Sequence, residues 1–240
     1  MQSLPGNEDR QERRNLVDPP ALDTWTYFPA TAICLWENLP QVLLGALFFN
    51  LACTPSFVLI VLGMPWLALF AGLALAAPAW ASLLQYEGFL AQGRVRSARL
   101  LLTGFRRFWS DSVRLAAIGS ALFAVALWLL FADNGSWGAV ALYIRVALLV
   151  LGVLVLIIVV LYAFPLLSLY EASLYSALHN SVLLSARFIA NTLGLVAVAV
   201  LMGFAVVYVS FALLLILPAI FGLFVVNNCF LVVTSEANRP

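Results

Sequence analysis

Between about residue 39 and residue 233 the chain alternates long apolar runs with short polar punctuation. A transmembrane helix needs about 20 largely apolar residues, and the runs predict six such helices. They cover about Leu39–Leu62, Trp66–Tyr86, Val113–Ala132, Trp137–Phe164, Asn191–Leu217 and Ala219–Val233. The breaks between them carry turn chemistry: Gly63-Met64-Pro65 marks a tight reversal and Asp133-Asn134-Gly135-Ser136 a turn. Pro165 closes the fourth run, Pro218 opens the sixth, and Thr54-Pro55 kinks or interrupts the first. The expected fold is all-α, a polytopic transmembrane bundle of about six spans with two cytoplasmic amphipathic connecting helices. It forms one membrane domain over residues 39–234. Residues 1–24 are polar, mixed in charge and contain Pro19-Pro20, the composition of a disordered leader. Residues 25–38 are rich in Trp and Tyr and suit the membrane interface, and residues 235–240 form a short tail.

Composition agrees with this pattern. Of the 240 residues 64% are hydrophobic and 10% charged, against about 25% charged in soluble domains. A chain with so little polar cover must turn most of its surface to lipid. The net charge of +1 argues against a nucleic-acid partner held by bulk electrostatics. The basic residues are all arginine, which leaves no lysine for a Schiff base or a phosphate loop. Cys34, Cys53 and Cys229 have no metal-ligand spacing and read as small apolar residues. No basic segment abuts a short apolar core at the N-terminus, so a cleaved signal peptide is not expected.

Arginine placement predicts the orientation. Arg10, Arg13 and Arg14 precede the first span, and Arg94, Arg96, Arg99, Arg106, Arg107 and Arg114 lie between the second and third. Arg187 joins the fourth to the fifth, and Arg239 follows the sixth. With six spans all of these fall on one side, and the positive-inside rule puts both termini in the cytoplasm of a bacterial cell membrane.

The two arginine-bearing connections carry most of the information. In GRVRSARLLLTGFRRFWSDSVR, wound at 100° per residue, Ala98, Leu101, Leu102, Phe105, Phe108 and Trp109 share a face opposite Arg96, Arg99, Arg106 and Arg107. Such a basic amphipathic helix can lie among anionic headgroups, so Arg96, Arg99, Arg106, Arg107 and Trp109 are the candidate lipid-contacting residues, unless the arginines only fix topology. In YEASLYSALHNSVLLSARF, Leu174, Tyr175, Leu178, Val182, Ala186 and Ile189 share the apolar face. Glu171, His179, Asn180 and Arg187 are its candidate partner-docking residues. His179 is the only histidine, and Glu171 lies about 12 Å away along the helix, too far to orient it as a base. The two connections resemble each other: Tyr86-Glu87 follows Pro78, Tyr170-Glu171 follows Pro165, and LLTGFRRF parallels LLSARF. Internal symmetry of this kind occurs in transporters, and also by chance between two interfacial helices.

Within the apolar runs only Arg145 reads as a charge, able to snorkel outward, to pair with Asp133 or to meet a substrate or headgroup. Asn50, Asn227 and Asn228 are intramembrane amides suited to hydrogen bonds between helices or to lining a polar path. The sequence has no HExxH, no GxSxG and no intramembrane chain of acids and histidine, so neither an enzyme nor a proton-driven pump is expected, nor any metal or cofactor.

The Asn-containing first span ending in FFNLACTP, the basic aromatic FRRFWSDSVRL, and YAFPLLSLYEASLYSALHNSVLLSARFIANTLGLV resemble the YesL family of bacterial integral membrane proteins, over roughly residues 36–233. The resemblance implies a non-enzymatic accessory or permease-like role in carbohydrate uptake; a membrane scaffold acting on anionic lipid is the alternative. Two features depart from the family pattern: the long apolar stretch after Gly63-Met64-Pro65 and a longer, more acidic leader. A second similarity is to the cytoplasmic helix by which permease subunits of ABC importers dock their ATPase. Glu171-Ala172-Ser173 matches its start, with Ala177 in place of the motif's glycine and the later Ile-x-Leu-Pro missing. ABC transporter subunits are therefore the implied protein partners, beside the lipid bilayer.

Overall fold

The computed structural model describes residues 27–94, 97–131 and 139–237, and among them every regular element is helical. Six helices are long and apolar enough to cross a membrane. We label the elements in chain order. α1 is Tyr27–Glu37 and α2 is Leu39–Val61. α3 comprises Pro65–Ala71, a π turn at Gly72–Ala76 and Ala77–Ala91. α4 is Arg99–Phe131. α5 comprises Ala139–Ile158, a π turn at Val159–Ala163 and Phe164–Tyr170. α6 is Leu174–Arg187, α7 is Ile189–Tyr208, and a 3₁₀ turn at Phe211–Leu215 leads into α8, Leu217–Ala237. The spans are α2, α3, α4, α5, α7 and α8.

Pro55 does not interrupt α2, whose helix runs through it. α1 is a helix in its own right, seated on α8: Thr31 is buried and accepts a 2.8 Å hydrogen bond from Asn227 Nδ2, while Trp36 stands exposed. α8, expected to be the shortest span, is the axis of the bundle. Its residues are buried without a break from Gly222 to Val232. A helix apolar all round belongs in a core, and this one carries its two asparagines there with it.

The first amphipathic connection is not a separate element. It is the N-terminal part of α4, one helix of 33 residues with the third span. At 1.5 Å per residue that is about 50 Å, against about 30 Å of hydrocarbon, so a good third of α4 projects from the membrane. Leu101, Phe108 and Leu115 turn inward, with Gly104 between them, whereas Leu102 and Trp109 are exposed. Gly104 allows a close approach to α3: a Cβ there would come 2.8 Å from Ser82 Oγ. Ser82 Oγ uses the proximity to donate to the Leu101 carbonyl at 2.5 Å.

The second connection is a separate helix, and its buried face is rotated away from the centre of its apolar stripe, of which Leu174 and Leu178 still pack against the core. Ala177, Ser181, Leu184 and Ser185 are buried, whereas Tyr175, Val182 and Ile189 of the apolar face are exposed. In a membrane protein the apolar stripe can face lipid, while small residues let backbones approach each other. Ser181 and Ser185 satisfy their hydroxyls on the carbonyls of Leu178 and Val182 one turn back.

Two spans contain π turns, and both stand two residues before a proline: Gly72–Ala76 before Pro78 and Val159–Ala163 before Pro165. Proline has no N–H for the preceding turn and its ring crowds the carbonyl there. At Pro78 the freed Ala74 carbonyl accepts the indole N–H of Trp109 at 2.9 Å, which ties α4 to α3.

Candidate functional site

The ends of α3, α4 and α5 on the side of the arginine-bearing connections form an open cleft of about 270 Å³ with a mixed polar and apolar lining. Gln85, Gly88, Phe89 and Gln92 line it from α3, Leu100 and Arg107 from α4, and Ser168, Leu169 and Glu171 from α5. The α3 residues recur at helical spacing, which puts both amides on one face. Across the cleft Arg107 Nη2 lies 2.6 Å from Glu171 Oε1. Glu171 caps α5 with φ 51°, the one non-glycine residue at positive φ among those described. An L-residue in that region costs roughly 1–2 kcal/mol. The conformation ends α5 sharply, sends the chain back into α6, where Ser173 forms the N-cap, and aims the Glu171 carboxylate at α4.

A second groove, of about 480 Å³, lies between α6 and the ends of α5 and α8, with Tyr170, Asn180, Arg187 and Glu236 among its lining residues. Arg187 is ion-paired with Glu236. Asn180 Nδ2 donates to Ser176 Oγ at 3.2 Å.

The candidate docking residues therefore divide. Glu171 belongs to the cleft, Asn180 and Arg187 to the groove, and His179 to the exposed flank of α6, stacked on Tyr175 with ring centroids 6.1 Å apart. The candidate lipid contacts divide as well. Arg99 and Arg106 are exposed, Arg107 is committed to Glu171, and Trp109, half exposed, clamps Ala74. Arg96 lies outside the described residues. Arg145 is partly exposed on α5, and Asp133, its suggested partner, also lies outside the described residues.

The intramembrane amides join helices. Asn50 Nδ2 donates to Ala46 and Leu215 carbonyls at 2.8 and 3.0 Å, tying α2 to the 3₁₀ turn before α8. Asn227 reaches Thr31 of α1, and Asn228 Oδ1 accepts from Asn191 of α7 at 3.1 Å. One residue apart on α8, they point to different sides and fasten different neighbours. Beside them the Tyr162 and Thr192 hydroxyls meet at 2.8 Å, linking α5 to α7.

The structure corrects the expectation that Arg145 is the only charge within the spans. Glu87 lies in α3 one turn before its end at Ala91, fully buried, and neither carboxylate oxygen has a hydrogen-bond partner among the described residues. It faces Gly222 of α8, where any Cβ would overlap the carboxylate, and Cys34 of α1 lies within electrostatic reach. Ending the second span at Tyr86 had put Glu87 in the connection. One signal was available: it is the only charged residue between Glu37 and Arg94. Removing an ionised carboxylate from water without a partner costs tens of kcal/mol in the Born limit, and the neutral acid far less.

Among the described residues no three His, Cys, Asp or Glu side chains stand close enough to hold a metal ion. The fold and its six spans define a multi-pass integral membrane protein. No family model, no curated protein and no solved structure matches the chain.

Proposed function

We propose that this protein is a permease-like or accessory component of solute uptake, that the cleft between α3, α4 and α5 is where the solute is held, and that the solute is of the carbohydrate class. The observation that carries the proposal is the cleft's chemistry. Gln85, Gln92 and a charge-balanced Arg107–Glu171 pair share the lining with the aromatic ring of Phe89. That mixture of donors and acceptors without net charge suits a neutral polyhydroxyl compound better than an ion. The resemblance to the YesL family points the same way. In this reading the protein performs no catalysis and lies in a bacterial cytoplasmic membrane with both termini inside. The exposed face of α6, with Tyr175, His179 and Val182, is where an ABC transporter subunit docks. Reporter fusions after residues 134 and 240 should land on opposite sides; the same side would overturn the orientation.

The scaffold alternative needs the basic face of α4 free for lipid. Its strongest positions are partly committed, Arg107 to Glu171 and Arg114 to Asp111 at 3.7 Å. The deciding measurement is thermal unfolding of the protein in nanodiscs with a panel of neutral mono- and disaccharides. A ligand that binds only the folded state at a hundred times its Kd stabilises it by about 2.7 kcal/mol. The expected result is an upward midpoint shift with at least one sugar, lost in Arg107→Ala and Glu171→Gln. No shift with any sugar, alongside flotation with anionic vesicles that Arg99→Ala/Arg106→Ala abolishes, would replace uptake with the scaffold.

A further inference from the structure

The cleft makes no use of Glu87, whose side chain turns the other way, toward α1 and α8. Its carboxyl group is wholly buried, both oxygens lack a partner among the described residues, and Gly222 provides the space it occupies. This is a fitted position rather than a side chain that strayed inward. Glycine at 222 lies within the unbroken buried stretch of α8, where a larger residue would fill the space if the carboxyl were not there. An intramembrane acid without a counter-ion marks a functional position.

We propose that Glu87 is a proton-binding site: its carboxyl group is protonated in the closed bundle and exchanges that proton with the aqueous phase on the arginine-bearing side. The step is an acid dissociation, the O–H bond breaking and the proton passing to water, with the electron pair left on the carboxylate. A proton is the occupant because the surroundings do not provide a cation's ligand shell. The group shown against the carboxylate is Gly222, which offers no side-chain ligand, and a hard metal cation takes six or more oxygen ligands. The titratable groups of the packed elements do not hold the ionised form. α1 offers Cys34 and Glu37, α8 has Cys229 and the Glu236 already paired with Arg187, and α2 carries only Cys53. On the remaining sides, Arg107 of α4 is paired with Glu171 of α5, and Tyr86, Tyr162 and Tyr170 are neutral phenols at ordinary pH. Proton release therefore leaves a bare anion against Gly222, which favours separation of α8 or α1 from α3 and the entry of water. Glu87 in this way ties the packing of the central helix to pH. The inference stands whether or not the cleft takes a sugar, because its readouts need only the folded protein.

Infrared spectroscopy of the full chain in nanodiscs tests it. The wild type at pH 7 should show a carbonyl band of a protonated carboxylic acid. That band should shift on transfer to D₂O, disappear reversibly at alkaline pH and be missing in Glu87→Gln. The same band in both proteins, or in neither, would overturn the proposal, as would a band that never shifts in D₂O. Loss of the band on adding NaCl at fixed pH would assign the site to sodium and equally refute it. If Glu87→Gln fails to fold, wild-type protein is treated with dicyclohexylcarbodiimide, which modifies protonated carboxyls in apolar surroundings, and mapped by peptide mass spectrometry. An adduct on Glu87 that declines with rising pH supports the site; adducts only on other acids at every pH reject it.

Discussion

α3 and α5 start from the same local grammar and treat the same dipeptide in opposite ways. Each has a π turn, a proline two residues later and then a Tyr-Glu pair. In α3 the Tyr-Glu pair stands about one helical turn further from its proline, and the helix continues to Ala91, so Glu87 is wound into the core against Gly222. In α5 the helix stops at Tyr170, and Glu171 takes a left-handed conformation that turns its carboxylate out to Arg107. The fate of each carboxylate follows from whether the helix continues past it. One is buried and has no hydrogen-bond partner among the described residues; the other is exposed, strained and ion-paired. What the two share is the π turn and proline; the Tyr-Glu pairs and the Leu-Leu segments that follow fall in unlike elements.

Substitutions can break this comparison, and the largest effect belongs to Gly222→Ala. The added methyl overlaps the Glu87 carboxylate, and overpacking of this kind costs about 1–3 kcal/mol, read as a fall of several degrees in the thermal midpoint. In a Glu87→Ala background the same change should cost far less, and a double-mutant cycle without coupling would refute the contact. Next comes Trp109→Phe, which leaves the Ala74 carbonyl without its indole donor and should destabilise by about 1–2 kcal/mol. Pro78→Ala in that variant restores an N–H to the turn and should recover part of the loss; no recovery would mean the π turn has another origin.

The α5 side should respond less. Glu171→Gly relieves a strain of roughly 1 kcal/mol and gives up an exposed ion pair worth at most about 1 kcal/mol, so its midpoint should match or slightly exceed that of the wild type. Glu171→Ala keeps the strain and loses the pair, so it should be the less stable of the two. The reverse order would mean that the ion pair, not the backbone, ends α5. Arg107→Gln should move stability least, by under about 1 kcal/mol, with the difference shrinking further in high salt.

How far the sequence could be read varies from element to element. The six spans and their turn signals follow from runs of apolar residues, because burial in hydrocarbon depends on composition over a window and hardly on neighbours. The asparagines were also legible as ties between helices, since an amide in lipid must find a partner. The inward face of α6 was not legible. Amphipathicity says which side avoids water, and in a membrane the apolar side can meet lipid while Ala177, Ser181 and Ser185 pack inward. Nor was the continuity of α4: no residue near 113 breaks the helix, so the amphipathic part simply extends the third span.

The sequence alone determined the solvent in which this chain folds and the number of its long apolar helices, because these depend on local free energies of transfer. Pro165 does not close the fourth span, whose helix runs on to Tyr170, and the turn expected at 133–136 lies outside the described residues. Tertiary structure alone decided which helix is central, which side of each helix faces inward and which charges are paired. Those outcomes depend on what approaches from a distant part of the chain. Trp109 comes to Ala74, Arg107 to Glu171 and Gly222 to Glu87, and no local pattern in the sequence specifies such meetings.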